Sequence, residues 1–126
     1  MVPHWVRGKK EIGRIVNSKK LGAVNVNVVA LGNSVGSGHA GVLGNIIEVQ
    51  DFQELAKLGK AKIQGKIIFF NRPMDPKLMD TFAAYSGASN QRGSGPSEAA
   101  KYGAIGVVVR SLSSFTDHVP HTGGTR

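Results

Sequence analysis

The fold is decided by the stretch Gly65-Lys66-Ile67-Ile68-Phe69-Phe70-Asn71-Arg72. Four large apolar residues follow one another in it and Pro73 comes directly after it, a pattern typical of a strand buried on both faces. A second unbroken run, Gly103-Ala104-Ile105-Gly106-Val107-Val108-Val109-Arg110, follows a helix that Pro96 is predicted to open and that continues to Tyr102. A strand, a helix and a strand make a βαβ unit, so we expect the two strands to be parallel neighbours.

Shorter strands are predicted before this unit. Residues 12–17 and 23–31 are strand-like, and the second alternates Val with Asn before it becomes fully apolar; residues 46–49 form a third short strand. Residues 32–44 contain five of the 17 glycines, which favours a loop over a regular element. Within the βαβ unit, we expect Ile68 and Val108 to be fully buried on adjacent strands.

Two further helices are predicted from their capping residues and spacing. Asp51 is the expected N-cap of the first, with Glu54 at the capping-box position and Gly59 as the residue that ends it. Residues 76–85 have helical spacing and predict a second, short helix. Residues 86–95 are polar and rich in glycine and serine, so we expect them to form a mobile loop.

Length and composition indicate one small domain. A chain of 126 residues with 40% apolar content can bury one modest core, so we predict a single domain over residues 1–126, of mixed α+β or α/β class. No apolar stretch is long enough to span a bilayer and the first residues lack a signal-peptide pattern, so we expect a soluble chain without its own targeting signal. The absence of cysteine excludes disulfides and thiolate zinc sites.

The formal net charge of +8 is concentrated near the amino terminus. Six of the 16 basic residues lie in the first twenty positions, where Glu11 is the one acid: they are Arg7, Lys9, Lys10, Arg14, Lys19 and Lys20. Aromatic residues are not interleaved with these cations as stacking on nucleic acid would require. The charge fits a solvated basic face, and it leaves open an alternative function as a free-standing basic module that binds nucleic acid or an acidic protein surface.

Two catalytic motifs overlap in the glycine-rich segment. Gly32-Asn33-Ser34-Val35-Gly36 matches the Gly-x-Ser-x-Gly nucleophile elbow, and Gly36-Ser37-Gly38-His39-Ala40-Gly41 matches the Gly-x-Gly-x-x-Gly phosphate loop. Both motifs need a helix directly after the loop, and the sequence that follows does not predict one. We therefore interpret the segment as a loop that joins two strands, with no catalytic residue assigned to it.

The histidines give little support for a metal site. His118 and His121, with Asp117 beside them, have the spacing of metal ligands. Pro120 prevents a helical pair, and no second cluster completes a tetrahedral set. We predict no metal ligand in this chain.

Taken in order, Gly65-Lys66-Ile67-Ile68, Arg92-Gly93, Ala99 and the run from Gly103 to Val109 resemble the pattern of the protease-associated (PA) domain. Residues 31–36, 71–74, 81–85 and 119–123 are further similar to the PA segment of zinc exopeptidases, so the resemblance extends over essentially the whole chain. It implies an open β-barrel or sandwich of short strands with two or three small helices. A further strand after residues 119–123 is usual in this family, so a domain truncated there would have an uncovered edge strand, through which self-association is expected.

The resemblance also implies a function. It predicts a noncatalytic domain that lids the active-site cleft of a zinc-dependent aminopeptidase or carboxypeptidase and influences which peptides enter. The zinc ion is expected in the parent's peptidase domain, which is the implied partner together with peptide substrates. A secreted, periplasmic or cell-surface location is implied by the same family, and neither nucleic acid nor membrane is an expected partner.

Arg92 and Gly93 are the site residues that the resemblance implies. In one branch of the family, the arginine of the matching Arg-Gly pair reaches the cleft and binds a substrate carboxylate. A guanidinium suits this role because it offers two parallel donors and stays charged. The alternative is that Arg92 braces its own loop.

Overall fold

The computed structural model describes residues 4–115 and 117–126, so residues 1–3 and residue 116 of the predicted domain lie outside it. The described part contains three helices and five strands, and the strands form two separate sheets. In chain order these are β1 (Gly13–Ser18), β2 (Gly22–Val26), β3 (Ile46–Val49), α1 (Phe52–Ile63), β4 (Ile67–Phe70), α2 (Thr81–Gly93), α3 (Gly95–Ala100) and β5 (Gly106–Val109). The predicted mixed class of helices and strands is confirmed.

The larger sheet contains the predicted βαβ unit. Its strand order is β3-β4-β5, and both pairs of neighbours are parallel. The apolar run that decides the fold is therefore the central strand, and the second run is its neighbour, as predicted. In the register, Ile68 of β4 lies beside Ile47 of β3 and Val107 of β5. The smaller sheet is the antiparallel pair of β1 and β2.

The hydrophobic core lies on one face of the parallel sheet. Ile68 and Phe70 are fully buried there, and the ring of Phe70 meets that of Phe52 edge to face at 5.6 Å between centroids. The core also includes buried side chains from β3, α1 and α3: Val49, Leu55, Ile63 and Ala99. Gly95 lets α3 approach closely, since a Cβ there would lie 2.9 Å from the Phe70 ring.

The expectation that Val108 is fully buried is wrong. Val108 pairs in register with Phe69, and successive side chains of a strand point to opposite faces. The core-facing residues of β5 are accordingly Val107 and Val109, whereas Val108 lies on the other face and is 40% exposed. The sheet is thus closed on one face and partly open on the other.

Helix α1 begins as predicted and ends later than predicted. The Asp51 carboxylate accepts a hydrogen bond from the Glu54 backbone N–H at 2.8 Å, as an N-cap does. The Glu54 carboxylate reaches back to the backbone N–H of Gln50 at 2.7 Å. Gly59 has a left-handed φ of 64° and breaks the helical geometry, but the helix resumes and continues to Ile63. Buried Ile63 anchors this extra turn to the core.

The predicted mobile loop over residues 86–95 is wrong. Helix α2 begins at Thr81, where Asp80 accepts hydrogen bonds from two backbone N–H groups, and it continues to Gly93. Ser94 then caps it, and α3 starts at Gly95. Ala84, Ala88 and Gln91 are buried at helical spacing, so packing of this stripe holds a segment of low helix propensity in a helix.

The amino-terminal half is less regular than predicted. The predicted strand over residues 23–31 is β2 only as far as Val26, and residues 27–31 continue without regular structure. The glycine-rich segment is a loop, as expected, apart from an isolated parallel bridge between Gly32 and Gly124. Within the part of the chain that the structure covers, no helix has the length and apolar character needed to cross a membrane.

Candidate functional site

The last turn of α2 positions Arg92, the residue that the resemblance selected. Its guanidinium donates a hydrogen bond to the Tyr85 hydroxyl, and its central carbon lies 5.3 Å from the centroid of the Tyr85 ring. Tyr85 and Arg92 are two helical turns apart and therefore share one face of α2. A second, longer hydrogen bond of 3.5 Å connects Arg92 to the carbonyl of Thr122. Arg92 is thus held on a helix and not on a loop.

A terminal strap, residues 121–126, lies against this end of α2. The Arg126 backbone N–H donates to the Gly93 carbonyl at 2.9 Å, and the Thr125 hydroxyl donates to the same carbonyl at 3.4 Å. The Ser97 hydroxyl donates to the Arg126 carbonyl. Thr125 is buried, so the terminal strap packs closely against the end of α2 at Gly93.

The opposite side of the terminal strap contacts the turn over residues 31–34. The N–H of Gly32 donates to the Gly123 carbonyl at 2.8 Å, and its carbonyl accepts from the N–H of Thr125 at 2.9 Å. Asn33 adopts a left-handed φ of 70°, which lets the turn close and brings its amide within 3.1 Å of the Thr125 carbonyl. The terminal strap therefore connects this turn to Arg92 and Gly93.

Gly123 allows the Arg92 side chain to lie against the strap. A Cβ at position 123 would lie 2.6 Å from Nε and 2.7 Å from the central guanidinium carbon of Arg92, far inside contact distance. Any larger residue would have to displace the guanidinium or the strap. The combination of Tyr85, Arg92 and Gly123 is therefore a close-fitting junction between α2 and residues 121–126.

The charge of Arg92 is not neutralised within the described residues. Their ion pairs are Arg7 with Glu11 and Lys101 with Glu98, and Nε2 of His121 lies 3.8 Å from the Asp117 carboxylate. The Arg92 guanidinium has neutral oxygen partners and carries five donors. The guanidinium can therefore donate hydrogen bonds to a carboxylate without first breaking an ion pair.

A buried glutamine fixes the neighbouring turn of α2 to the central strand. Gln91 is 1% exposed, and its side-chain amide donates to the Arg72 carbonyl at 2.7 Å while its oxygen accepts from the Arg72 N–H at 3.2 Å. The Arg72 guanidinium in turn donates to the side-chain oxygen of Asn90. These bonds connect the carboxyl end of β4 to α2 and thereby set the position of Arg92.

A polar network lies at the carboxyl ends of the parallel strands. Asn71 donates to the Glu48 carboxylate at 2.8 Å and accepts from the Arg110 guanidinium at 3.2 Å. A groove of about 300 Å³ adjoins it, with Arg110, Asp117 and two aromatic rings, Phe69 and Phe115, among its lining residues. Sequence reasoning did not select this network, although Glu48 lies within a predicted strand and Asn71 and Arg110 each lie at the end of a predicted apolar run.

The remaining sequence motifs are not assembled into a reactive site by the described residues. Ser34 lies in the turn over residues 31–34, and its carbonyl accepts a hydrogen bond from the Trp5 indole at 2.9 Å; no helix follows it before α1. Asp117 and His121 face each other at 3.8 Å, whereas the His118 carbonyl accepts from the Asn27 amide. Across residues 4–115 and 117–126, no group of three or more potential ligands could hold a metal ion, so the residues do not fit a zinc site.

Glu11 is held in its ionised form near the amino terminus. The Arg7 side chain donates to its carboxylate, and the Ala30 N–H donates to the same oxygen at 3.3 Å. These hydrogen bonds favour the charged form and lower the pKa of Glu11 below its ordinary value. Arg7 also lies over the Trp5 ring, at 5.4 Å from its centroid. This group connects residues 5–11 to the chain just before the turn over residues 31–34.

Comparison with solved structures shows which known protein has a similar architecture. The fold matches a segment of a peptidase M28 precursor from Shewanella amazonensis with a TM-score of 0.85 and 26% identity, over 99% of this chain and 27% of that protein. The chain is therefore homologous to a segment of an M28-type peptidase. No family model matches the chain.

The sequence comparison identifies particular relatives. Carboxypeptidase Q from Xenopus laevis is 34% identical over 97% of this chain, and the Bos taurus and Homo sapiens proteins of the same name are 32% and 30% identical over the same share. In each case the chain spans 23% of the relative's length. The predicted resemblance to a segment of zinc exopeptidases is thus confirmed, and the alternative of a basic binding module receives no support from these matches.

Proposed function

We propose that this chain is the noncatalytic PA-type domain of a zinc-dependent exopeptidase, in which it lids the active-site cleft and influences which peptides enter. The observation that carries the proposal is the homology of nearly the whole chain to less than a quarter of carboxypeptidase Q. The reacting groups of the parent are assigned to its remaining part. In this proposal the two small sheets and the helices at their rim form the open barrel or sandwich of a PA domain.

Arg92 is the residue through which the domain acts on substrates in this proposal. Its guanidinium is oriented by Tyr85 and the terminal strap and keeps a charge that the described residues do not neutralise. A peptide with a free carboxylate would gain a charge-assisted hydrogen bond from it. Gly93 contributes through its carbonyl, which fixes the terminal strap beside the guanidinium. The same contacts also support a bracing role, which the experiments must separate from substrate binding.

The partners and location follow from the same proposal. The domain contacts the peptidase part of its own longer chain and the peptides that enter the cleft. The parent functions outside the cytoplasm, as secreted, periplasmic or cell-surface peptidases do. The chemistry that breaks the peptide bond uses zinc bound in the peptidase part, and residues of this segment contribute only binding and orientation.

The proposal is tested by steady-state kinetics on the full-length parent. Ser34→Ala, Glu48→Gln and His121→Ala remove the segment's candidate nucleophile, carboxylate base and imidazole. Each variant should keep kcat within about threefold of the wild-type value, because general acid–base or nucleophilic groups are worth about a hundredfold or more. A loss of kcat of about a hundredfold in any of them, with zinc content unchanged, would show that the segment takes part in the chemistry.

A further inference from the structure

The parallel sheet has a second face, which we call the open face and define by Ile46, Ile67, Phe69 and Val108. The register places Ile46 beside Ile67, and Phe69 beside Val108, so these four side chains point to the same side. Ile46 is 54% exposed and Val108 is 40% exposed, whereas Ile68 and Phe70 on the other face are fully buried. Phe115, beyond the end of β5, is 68% exposed.

An open apolar face is unusual for a sheet of this kind. Parallel sheets occur almost entirely where both faces are covered, because their strands are apolar on both sides. In β3, β4 and β5 the one charged residue is Glu48, which pairs with Phe69 and therefore lies on the open face, where its carboxylate accepts a hydrogen bond from the Asn71 amide. The composition of these strands is therefore that of a sheet with two covered faces.

We infer that the open face is an interface, and that it is covered by an apolar element from the remaining part of the parent's own polypeptide. This inference rests on the proposed function only in taking the segment as part of a longer peptidase. The occupant is argued from length: the relatives are more than four times as long as the part this chain matches, because the chain spans 23% of them. A covalently connected element is present at high effective concentration and needs no separate partner.

The open face also defines the chemistry of its occupant. The four side chains offer only apolar contact, whereas Glu48 on the same face and Arg110 at the carboxyl edge already bond to Asn71. An element with aliphatic or aromatic residues toward Val108 and Ile46 fits this surface, and polar groups fit its edge near Arg110. A second copy of the segment could cover the same face, so the experiment also measures whether protection depends on protein concentration.

The test uses single cysteines in the full-length parent, because this segment has none of its own. Val108→Cys and Ile46→Cys report on the open face, and Val16→Cys in β1, where the valine is 44% exposed, calibrates the method at a similar exposure. Thiol labelling is followed by peptide-resolved mass spectrometry, so that cysteines elsewhere in the parent do not interfere. Each rate is divided by the rate of the same site in urea-denatured protein.

Coverage predicts that both open-face cysteines label at least about tenfold more slowly in native than in denatured protein, because they react only after local opening. Protection below about tenfold at Val108→Cys or Ile46→Cys overturns the inference. Protection that disappears when the protein is diluted overturns it as well, because a second copy is then the cover. The readout is the thiol-labelling rate and not peptidase activity. If this inference fails, the proposed substrate-access function can still be tested separately.

Discussion

Replacing Ile68 with alanine tests the layered architecture on which every later step depends. Ile68 is fully buried on the central strand of the sheet. The substitution removes an ethyl and a methyl group, at about 0.8 kcal/mol for each buried carbon, and leaves a cavity that raises the total to about 3–4 kcal/mol. We expect this loss in the free energy of unfolding of the 126-residue chain, measured by urea denaturation followed by circular dichroism.

The matched control is Val108→Ala on the neighbouring strand. Val108 is 40% exposed, and its two methyl groups contribute about 1 kcal/mol or less at that exposure. The two substitutions should therefore differ by about 2–3 kcal/mol, although the sequence alone predicted full burial for both. Equal losses, or a denaturation midpoint that Ile68→Ala leaves unchanged, would refute the assignment of the two faces.

Three further predictions concern polar groups that hold the elements together. Gln91→Met keeps the side-chain volume but leaves the Arg72 backbone groups without partners, so it should cost about 1–3 kcal/mol in urea denaturation. Asp51→Ala removes the N-cap of α1 and should cost about 1 kcal/mol in the same assay; no loss would contradict the observed cap. Because the folded-state pKa of Glu11 is lowered, its contribution to stability is present above the ordinary carboxyl pKa and is lost as the pH falls through the lowered value. Glu11→Gln should reduce this acid-range dependence of the unfolding midpoint, and an unchanged dependence would contradict the role of Glu11.

The central part of the fold could be predicted from the sequence, because two unbroken apolar runs separated by a predicted helix leave few arrangements. The extent of α2 could not be predicted from composition, since residues 86–95 consist mainly of residues that favour loops. The buried stripe at Ala84, Ala88 and Gln91 overrides those preferences, and its helical spacing is the signal that could have shown it. The register of β5 with β4 decides which alternate residues of β5 face the core. It places Val108 on the opposite face, beside Phe69.

The candidate site was predicted only in part. The resemblance selected Arg92 and Gly93, but apart from Tyr85 their partners lie far along the chain in the terminal strap and bond mainly through backbone atoms. Backbone contacts of this kind leave no residue-type signal in a single sequence. Tyr85 could have been selected once α2 was extended, because it lies two turns before Arg92 on the same helical face.

The most direct test of the account compares wild-type and Arg92→Lys forms of the full-length parent on matched peptides with a free or an amidated carboxyl terminus. Lysine keeps the charge but loses the paired donors of the guanidinium. If Arg92 binds substrate, KM for the free-carboxylate peptide should rise by about tenfold, while KM for the amidated peptide and kcat for both stay nearly unchanged. An equal loss on the two peptides would contradict the account and show that Arg92 only braces α2 against the terminal strap.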